Sequence, residues 1–225
     1  MEKQIHPLID KRIEDYCQEF CSKEDERLRY IDRQTHIKFL RPNMISGNWQ
    51  GTFLKIISLL VKPKNVLELG TFTSYATLCL AEGLEKGGVV HTIERDESLK
   101  DFIEETIAKF NLEEKIKLHI GNAIEVIDSI EGNFDLIFID AAKGQYTKFF
   151  EKYKYFLKPG GVIITDNLKF HGHVGNRNNI ANRNLKQLVG KIENYIDFLK
   201  NNDEFETKFY DVGDGLSVSI RKNEI

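Results

Sequence analysis

Apolar residues recur at helical spacing along the first quarter of the chain. Between residues 6 and 40 they fall at three- and four-residue intervals with charged residues between them, which predicts a helical segment. A polar, glycine-containing joint follows at residues 43–51, and the apolar run 52–61 predicts a further helix that Pro63 closes. We therefore expect an N-terminal helical extension over residues 1–61.

From residue 62 onward, short apolar runs alternate with stretches of helical periodicity. The apolar runs predict seven strands, at Asn65–Leu69, Val89–Ile93, Lys115–Ile120, Phe134–Asp140, Gly161–Thr165, Phe205–Tyr210 and Leu216–Arg221. Helices are expected near residues 74–84, 96–110, 123–130, 145–157 and 184–200. The runs VLEL, LIFI and VIIT are apolar throughout, as strands are when helices cover both faces of a sheet. The pattern predicts an α/β fold with a mostly parallel sheet, in a single domain over residues 1–225 whose core spans 62–225.

The composition excludes several classes of protein. The net charge of −3 does not favour a general polyanion binder, although a local basic patch is compatible with it. There is no run of about 18 apolar residues, so no membrane span is expected. The N-terminus has no signal-peptide apolar core, and three cysteines are an odd number. These features lead us to expect a cytoplasmic protein with reduced thiols.

Candidate chemistry is concentrated where the predicted strands end. In open α/β sheets, ligands bind beyond the carboxyl ends of the strands. Five successive strands end in a glycine, an acid or an amide, at Glu68–Ser74, Glu94, Gly121–Ala123, Asp140 and Asp166–Asn167. Any one of these residues is a weak signal, but together they predict a ligand site along one edge of the sheet.

The first two strand ends favour a nucleoside-like ligand. Gly70 lets the backbone approach a ligand, but it stands without the further glycines of a GxGxxG fingerprint, which disfavours a dinucleotide enzyme. The carboxylate of Glu94 suits a ribose diol, because it can accept two hydroxyl hydrogen bonds. An acid at this place also serves as a helix cap, and the sequence leaves both interpretations open.

Asp140, Asp166 and Asn167 form the sharpest cluster of candidate residues. They supply oxygen atoms from two strand ends that we expect to be neighbours, and Mg²⁺ and Ca²⁺ prefer such ligands. The alternative is that Asp166 and Asn167 form an ordinary turn, because both residue types favour turns. Lys143 lies three residues after Asp140 and is a candidate general base, although most lysines are simply solvated.

Four segments and a fifth one upstream of them resemble a known family. The segments are VLELGTFTSYATLCLAEGL (66–84), FDLIFIDAAKGQY (134–146), LKPGGVIITDN (157–167) and VGDGLSVSIRK (212–222), with MISGNWQGTFL (44–54) upstream. They resemble the cation-dependent class I O-methyltransferases that depend on S-adenosylmethionine (SAM), a group that contains catechol and caffeoyl-CoA O-methyltransferases. The resemblance implies a Rossmann-like sheet of seven strands with helices on both faces.

The resemblance also implies a role for each matching residue. Cofactor contacts are implied for Met44, Ser46, Glu68, Gly70, Thr71, Ser74, Glu94, Gly121, Ala123 and Asp140. Among these, Glu94 would hold the ribose and Ala123 would lie against the adenine. Asp140, Asp166 and Asn167 match the ligands of a divalent cation, with Mg²⁺ expected and Mn²⁺ or Ca²⁺ as alternatives. Lys143 matches the catalytic base, and Asp140 belongs to the catalytic set as well.

The chain departs from the family pattern at two places. Ser74 stands where the family usually has glycine, which crowds the cofactor loop. Ala142 replaces the second acid of a DADK sequence, whereas Asp140 and Lys143 are retained. The segment DAAKGQY is similar to bacterial members that methylate 5-hydroxyuridine in tRNA, and the basic loop 169–191 can contact phosphates or can be a solvated surface.

Two acceptors and one non-enzymatic role therefore stay open. The acceptor is a hydroxyl group, carried either by a catechol-like small molecule or by the wobble 5-hydroxyuridine of tRNA. The third interpretation is a SAM-binding or scaffold protein without catalysis, which the intact Asp140, Lys143, Asp166 and Asn167 disfavour. The resemblance further implies a homodimer, and no partner in a membrane is expected.

Overall fold

The computed structural model describes residues 16, 17 and 19–223, and these residues form one α/β sheet with helices on both faces. Seven strands carry the fold: β1 Asn65–Leu69, β2 Val89–Glu94, β3 Ile116–Ile120, β4 Phe134–Ile139, β5 Leu157–Thr165, β6 Phe205–Tyr210 and β7 Leu216–Arg221. Their spatial order is β3-β2-β1-β4-β5-β7-β6. The first five strands are parallel, and β7 runs antiparallel to both of its neighbours. The mostly parallel seven-stranded sheet is confirmed.

Seven α-helices of the described part surround the sheet. They are α1 Glu26–Lys38, α2 Gly47–Val61, α3 Tyr75–Ala81, α4 Lys100–Lys109, α5 Ala123–Val126, α6 Tyr146–Tyr153 and α7 Arg183–Lys200. Alternate residues of each central strand point to opposite faces, as strand geometry requires. In β4, Leu136 and Phe138 therefore pack with α1–α4, whereas Ile137 and Ile139 pack with α6 and α7. No helix among the described residues is both long and apolar enough to cross a membrane.

Several element boundaries differ from the sequence-based prediction. The predicted joint at 43–51 is wrong in its second half, because α2 already begins at Gly47. The predicted helix over 6–40 is one helix only from Glu26, after a turn near Phe20, and residues 6–15 lie outside the described part. The predicted helix 123–130 is a four-residue helix that tightens into the 3₁₀ turn Ile127–Ser129.

The fifth strand is longer than its apolar run suggests. It begins at Leu157 rather than Gly161, and the register against β4 shifts between Phe134 and Leu136. Lys158–Gly160 reads as a turn in sequence because proline and glycine favour turns. This irregularity lies at the amino end of the strand, so the carboxyl end of β5 remains in register with β4 at the ligand edge.

Candidate active site

A cavity of about 970 Å³ opens at the carboxyl edge of the parallel strands. It is lined by residues from all five strand ends that the sequence singled out, and by the segment that precedes α2. The predicted site residues on its wall are Met44, Ser46, Gly70, Glu94, Gly121, Ala123, Asp140, Lys143, Asp166 and Asn167. The fold therefore brings ten of the predicted residues to one cavity, which is large enough for a nucleoside and a second small molecule.

The oxygen-rich end of this cavity lies between β4 and β5. Asp140 follows β4 and Asp166 follows β5, and these two strands are neighbours in the sheet. The ammonium of Lys143 lies 3.5 Å from Asp140 Oδ1 and donates a hydrogen bond to Asn167 Oδ1. Oxygen atoms from both strand ends thus converge on a single positive charge.

The electrostatics of this pair of strand ends favour a bound cation. Burial raises the pKa of Asp140 and of Asp166, and the negative charge of Asp140 adds to the rise at Asp166. Among the described residues, no three His, Cys, Asp or Glu side chains are placed to hold a metal ion. The expected set includes only two carboxylates, with the amide oxygen of Asn167 as the third donor. Mg²⁺ and Ca²⁺ accept carboxylate and amide oxygens together, so the donor set fits a hard divalent cation.

Two supporting side chains of this cluster were missed at the sequence level. Gln50 of α2 is buried, and its Nε2 donates to Asp166 Oδ2 over 2.8 Å. Asp214 accepts a hydrogen bond of 3.4 Å from Asn167 Nδ2. Both residues line the cavity. Asp214 lies between the last two predicted strands, and its place in the segment 212–222 that resembles the family was the available signal.

Gly70 is required by a close approach of two strand ends. Its φ of +96° lies in a region that L side chains rarely adopt, and a Cβ there would clash with the carbonyl oxygen of Asp140. The first turn after β1 can therefore pass next to the end of β4 only with glycine at this position. This contact places the predicted cofactor loop beside the predicted metal ligands.

Glu94 anchors the loop that follows β1. One carboxylate oxygen accepts hydrogen bonds from the backbone N–H of Thr71 (3.2 Å) and Phe72 (2.9 Å). The other accepts from Arg95 and Asp96, each at 2.8 Å. The helix-cap interpretation of Glu94 is wrong, because the side chain of Asp96 caps the following 3₁₀ helix. Glu94 also lines the cavity, where a ribose could reach it. Its contact with ribose stays a prediction.

Three predicted cofactor residues lie behind this wall or beside it. Glu68 is fully buried and accepts hydrogen bonds from the hydroxyls of Thr77 and Thr92. It points into the layer between β1 and α3, because its side chain shares the sheet face of Val66. Ser74 is also fully buried, whereas Thr71 borders a small recess beside the cavity. The structure therefore places neither Glu68 nor Ser74 on the cavity wall.

Two of the five lysine and arginine side chains in the basic loop 169–191 are paired with acids. Lys169 forms an ion pair with Asp211, and Arg177 lies 3.7 Å from Glu193. His171 is mostly exposed and lines the mouth of the cavity. The ion pairs of Lys169 and Arg177 thus reduce the positive charge of the loop near the cavity mouth.

Comparisons with known proteins agree on one family. A family model described as O-methyltransferase matches residues 18–222. A catechol O-methyltransferase from Niastella koreensis is 31% identical over 182 residues, which is 79% of this chain and 80% of that protein. The O-methyltransferase from Bacillus cereus, solved in complex with SAH, superposes on this chain with a TM-score of 0.83 at 26% identity. The superposition covers 94% of this chain and 97% of the Bacillus cereus chain. TomG from Streptomyces achromogenes, an O-methyltransferase involved in tomaymycin synthesis and solved with SAM, has the same fold at 23% identity, with a TM-score of 0.82 and coverage of 94% and 96%.

Proposed function

This chain belongs to the O-methyltransferase family and is a SAM-dependent enzyme, and we propose that it methylates a hydroxyl group held by a divalent cation. The observation that carries the proposal is the convergence of Asp140 and Asn167 on one positive charge, beside Asp166, at the edge of the cavity. Mg²⁺ is the cation that we propose, with Mn²⁺ and Ca²⁺ as alternatives of the same oxygen-seeking class.

The chemical difficulty of this reaction is the proton on the acceptor hydroxyl. A phenol-like hydroxyl has a pKa of about 10, so roughly one molecule in a thousand is ionised at pH 7. Closing this gap is worth about 4 kcal/mol. When bound, SAM supplies an electrophilic methyl group and the cation lowers the pKa of the hydroxyl.

The side chains of this chain would do the remaining work. Lys143 lies on the cavity wall beside Asp140, and in its neutral amine form it is placed to take the hydroxyl proton as a general base. Asp140, Asp166 and Asn167 would fix the cation, and thereby the hydroxyl, against the cofactor. Met44 and Ser46, from the segment preceding α2, line the same cavity and would close it over the cofactor.

For the acceptor, we propose a catechol-like small molecule. Vicinal hydroxyls chelate a metal, and the catechol O-methyltransferase named above is a relative over most of both chains. The second candidate is the 5-hydroxyuridine of tRNA, which the segment DAAKGQY favours. The ion pairs of Lys169 and Arg177 weaken this candidate, because each removes positive charge that a phosphate backbone would need.

Transfer of the methyl group from labelled SAM, in the presence of Mg²⁺, distinguishes the two candidate acceptors. The protein is incubated with catechol, with phenol as a matched control that carries one hydroxyl, or with tRNA from a strain lacking the gene. We expect label in catechol, much less in phenol and none in tRNA. Label in tRNA, with no label in catechol, would show that the small-molecule assignment is wrong. In that case, mass spectrometry of nucleosides from the tRNA of the deletion strain should show no 5-methoxyuridine-type nucleosides.

A further inference from the structure

An asparagine ligand poses an orientation problem that an aspartate does not. Its amide presents an oxygen on one side and an NH₂ group on the other, and only the oxygen can bind a cation. Asn167 is turned with Oδ1 toward the ammonium of Lys143 and Nδ2 toward Asp214 Oδ2, at 3.4 Å. Since an ionised carboxylate only accepts hydrogen bonds, Asp214 selects the NH₂ side of the amide.

Asp214 is itself held firmly against the segment that carries Asn167. Its other carboxylate oxygen, Oδ1, accepts the backbone N–H of His171 over 2.7 Å. Its carbonyl oxygen accepts the N–H of Lys169 over 2.8 Å, and the carbonyl of Gly215 accepts that of Leu168 over 2.9 Å. The turn 212–215 is thus bonded along the residues that directly follow Asn167.

The two glycines of this turn pack closely against their neighbours. A Cβ on Gly213 would clash with Oε1 of Gln50, and a Cβ on Gly215 would lie 2.7 Å from Cγ of Lys169. Both glycines have positive φ, which side chains with a Cβ rarely adopt. The turn therefore packs between α2 and the segment after β5, and Asp214 faces the amide of Asn167.

We propose that Asp214 is a positioning residue that keeps Oδ1 of Asn167 directed at the cation. This inference rests on the proposed use of a divalent cation. Asp214 does not bind the cation in this arrangement, because its carboxylate is engaged by the NH₂ of Asn167 and the N–H of His171. Its role is instead to keep the amide oxygen of Asn167, rather than the NH₂ group, facing the cation.

Titration of the purified protein with Mn²⁺, followed by electron paramagnetic resonance, measures cation affinity without turnover. Replacing a group that orients a ligand typically costs 10- to 100-fold in metal affinity. We expect a loss of this size for Asp214→Ala and also for Asp214→Asn, in which an NH₂ group replaces one of the two carboxylate oxygens that accept from His171 and Asn167. The matched control is Asp211→Ala, since Asp211 is an exposed acid near the same turn that pairs with Lys169; its affinity should match that of the wild type.

The same Asp214 substitution in an Asn167→Asp variant separates the effect of amide orientation from the effect of the Asp214 charge. In Asn167→Asp the ligand is a symmetric carboxylate, so no orientation has to be selected. Asp214→Ala should then leave Mn²⁺ affinity unchanged or raise it, because it removes a like charge beside the new carboxylate. An equal loss in both backgrounds would show that Asp214 acts through its charge and would overturn the inference. Absence of Mn²⁺ binding by the wild type would instead refute the proposed use of a cation.

Discussion

At the residue scale, Ser74 combines two unfavourable features. Its φ of +70° is left-handed, and its buried Oγ has no hydrogen-bond partner among the described residues. The backbone conformation costs a residue with a Cβ roughly 1–2 kcal/mol, and an unsatisfied buried hydroxyl costs about 1 kcal/mol or more. A glycine, which the family resemblance implies at this position, would avoid both costs.

We predict that Ser74→Gly raises the free energy of unfolding by about 1 kcal/mol, after the entropy cost of glycine is subtracted. Urea denaturation measures this difference. Ser74→Ala is the matched control, because it removes the hydroxyl but keeps the Cβ, and it should gain less than the glycine variant. A glycine variant less stable than the wild type would mean that the hydroxyl of Ser74 has a favourable contact.

Glu68 makes the free energy of unfolding depend on pH, and a single substitution can measure this contribution. Burial raises the pKa of Glu68 from 4.5 to about 8, against the hydrogen bonds from Thr77 and Thr92 that lower it. Between these two values the folded state keeps a proton that the unfolded state releases. The contribution of Glu68 to stability is therefore fully present below pH 4.5 and is lost as the pH rises toward 8.

Glu68→Gln removes this titration and keeps an oxygen that can accept from both threonines. We predict that the unfolding free energy of the variant, relative to the wild type, increases steadily from pH 5 to pH 8, by at most about 1.4 kcal/mol per pH unit. Urea denaturation at three pH values tests this. A difference that stays constant with pH would contradict the buried, protonated Glu68.

At the scale of elements, the contact between α2 and α3 holds one wall of the cavity. A Cβ on Gly51 would lie 2.6 Å from Cε1 of Tyr75 and 2.9 Å from Sγ of Cys79, so the two helices pack closely at this point. Gln50 is the residue before Gly51, and Met44 and Ser46 precede the same helix. A displacement of α2 therefore moves three residues of the cavity wall together.

We predict that Gly51→Ala lowers the unfolding free energy by about 1–3 kcal/mol, the usual cost of overpacking. It should also weaken SAM binding in calorimetry, because the wall that carries Met44 moves. Thr52→Ala, one residue further along α2, is the control and should leave SAM affinity near that of the wild type. Unchanged stability and affinity in Gly51→Ala would show that the helices can separate at no cost.

The sequence predicted the elements well where periodicity decides them, and less well where packing does. The apolar runs placed the ends of the strands that finish at Leu69, Glu94 and Ile139 to within one residue, because buried parallel strands are apolar throughout. The start of α2 was missed, because Gly47 and Asn48 read as a loop. Gln50 and Asp214 were missed because their roles depend on partners distant in sequence, such as Asp166, 116 residues after Gln50.

At the scale of the whole molecule, the resemblance implies a homodimer, and one exposed apolar face is where we propose a second copy binds. Ile56 and Leu60 of α2 are 49% and 74% exposed, and Tyr210 and Ile220 of the adjoining strands are each 44% exposed. The ring centroids of Phe53 and Tyr210 lie 5.5 Å apart, so the helix and the sheet form one continuous surface. Light scattering tests this: we expect the mass of two chains, and the mass of one would contradict it.

As proposed, methyl transfer in this cavity needs both a cation and Lys143. The direct measurement is the rate of methyl transfer from SAM to catechol, with Mg²⁺, with excess EDTA, and after Mg²⁺ is restored. We predict that EDTA abolishes turnover and Mg²⁺ restores it, and that Lys143→Ala lowers kcat by about 10²- to 10⁴-fold while SAM affinity is retained. Full turnover in EDTA would contradict the role of the cation, and a loss of SAM binding in Lys143→Ala would contradict the role of Lys143 as the base.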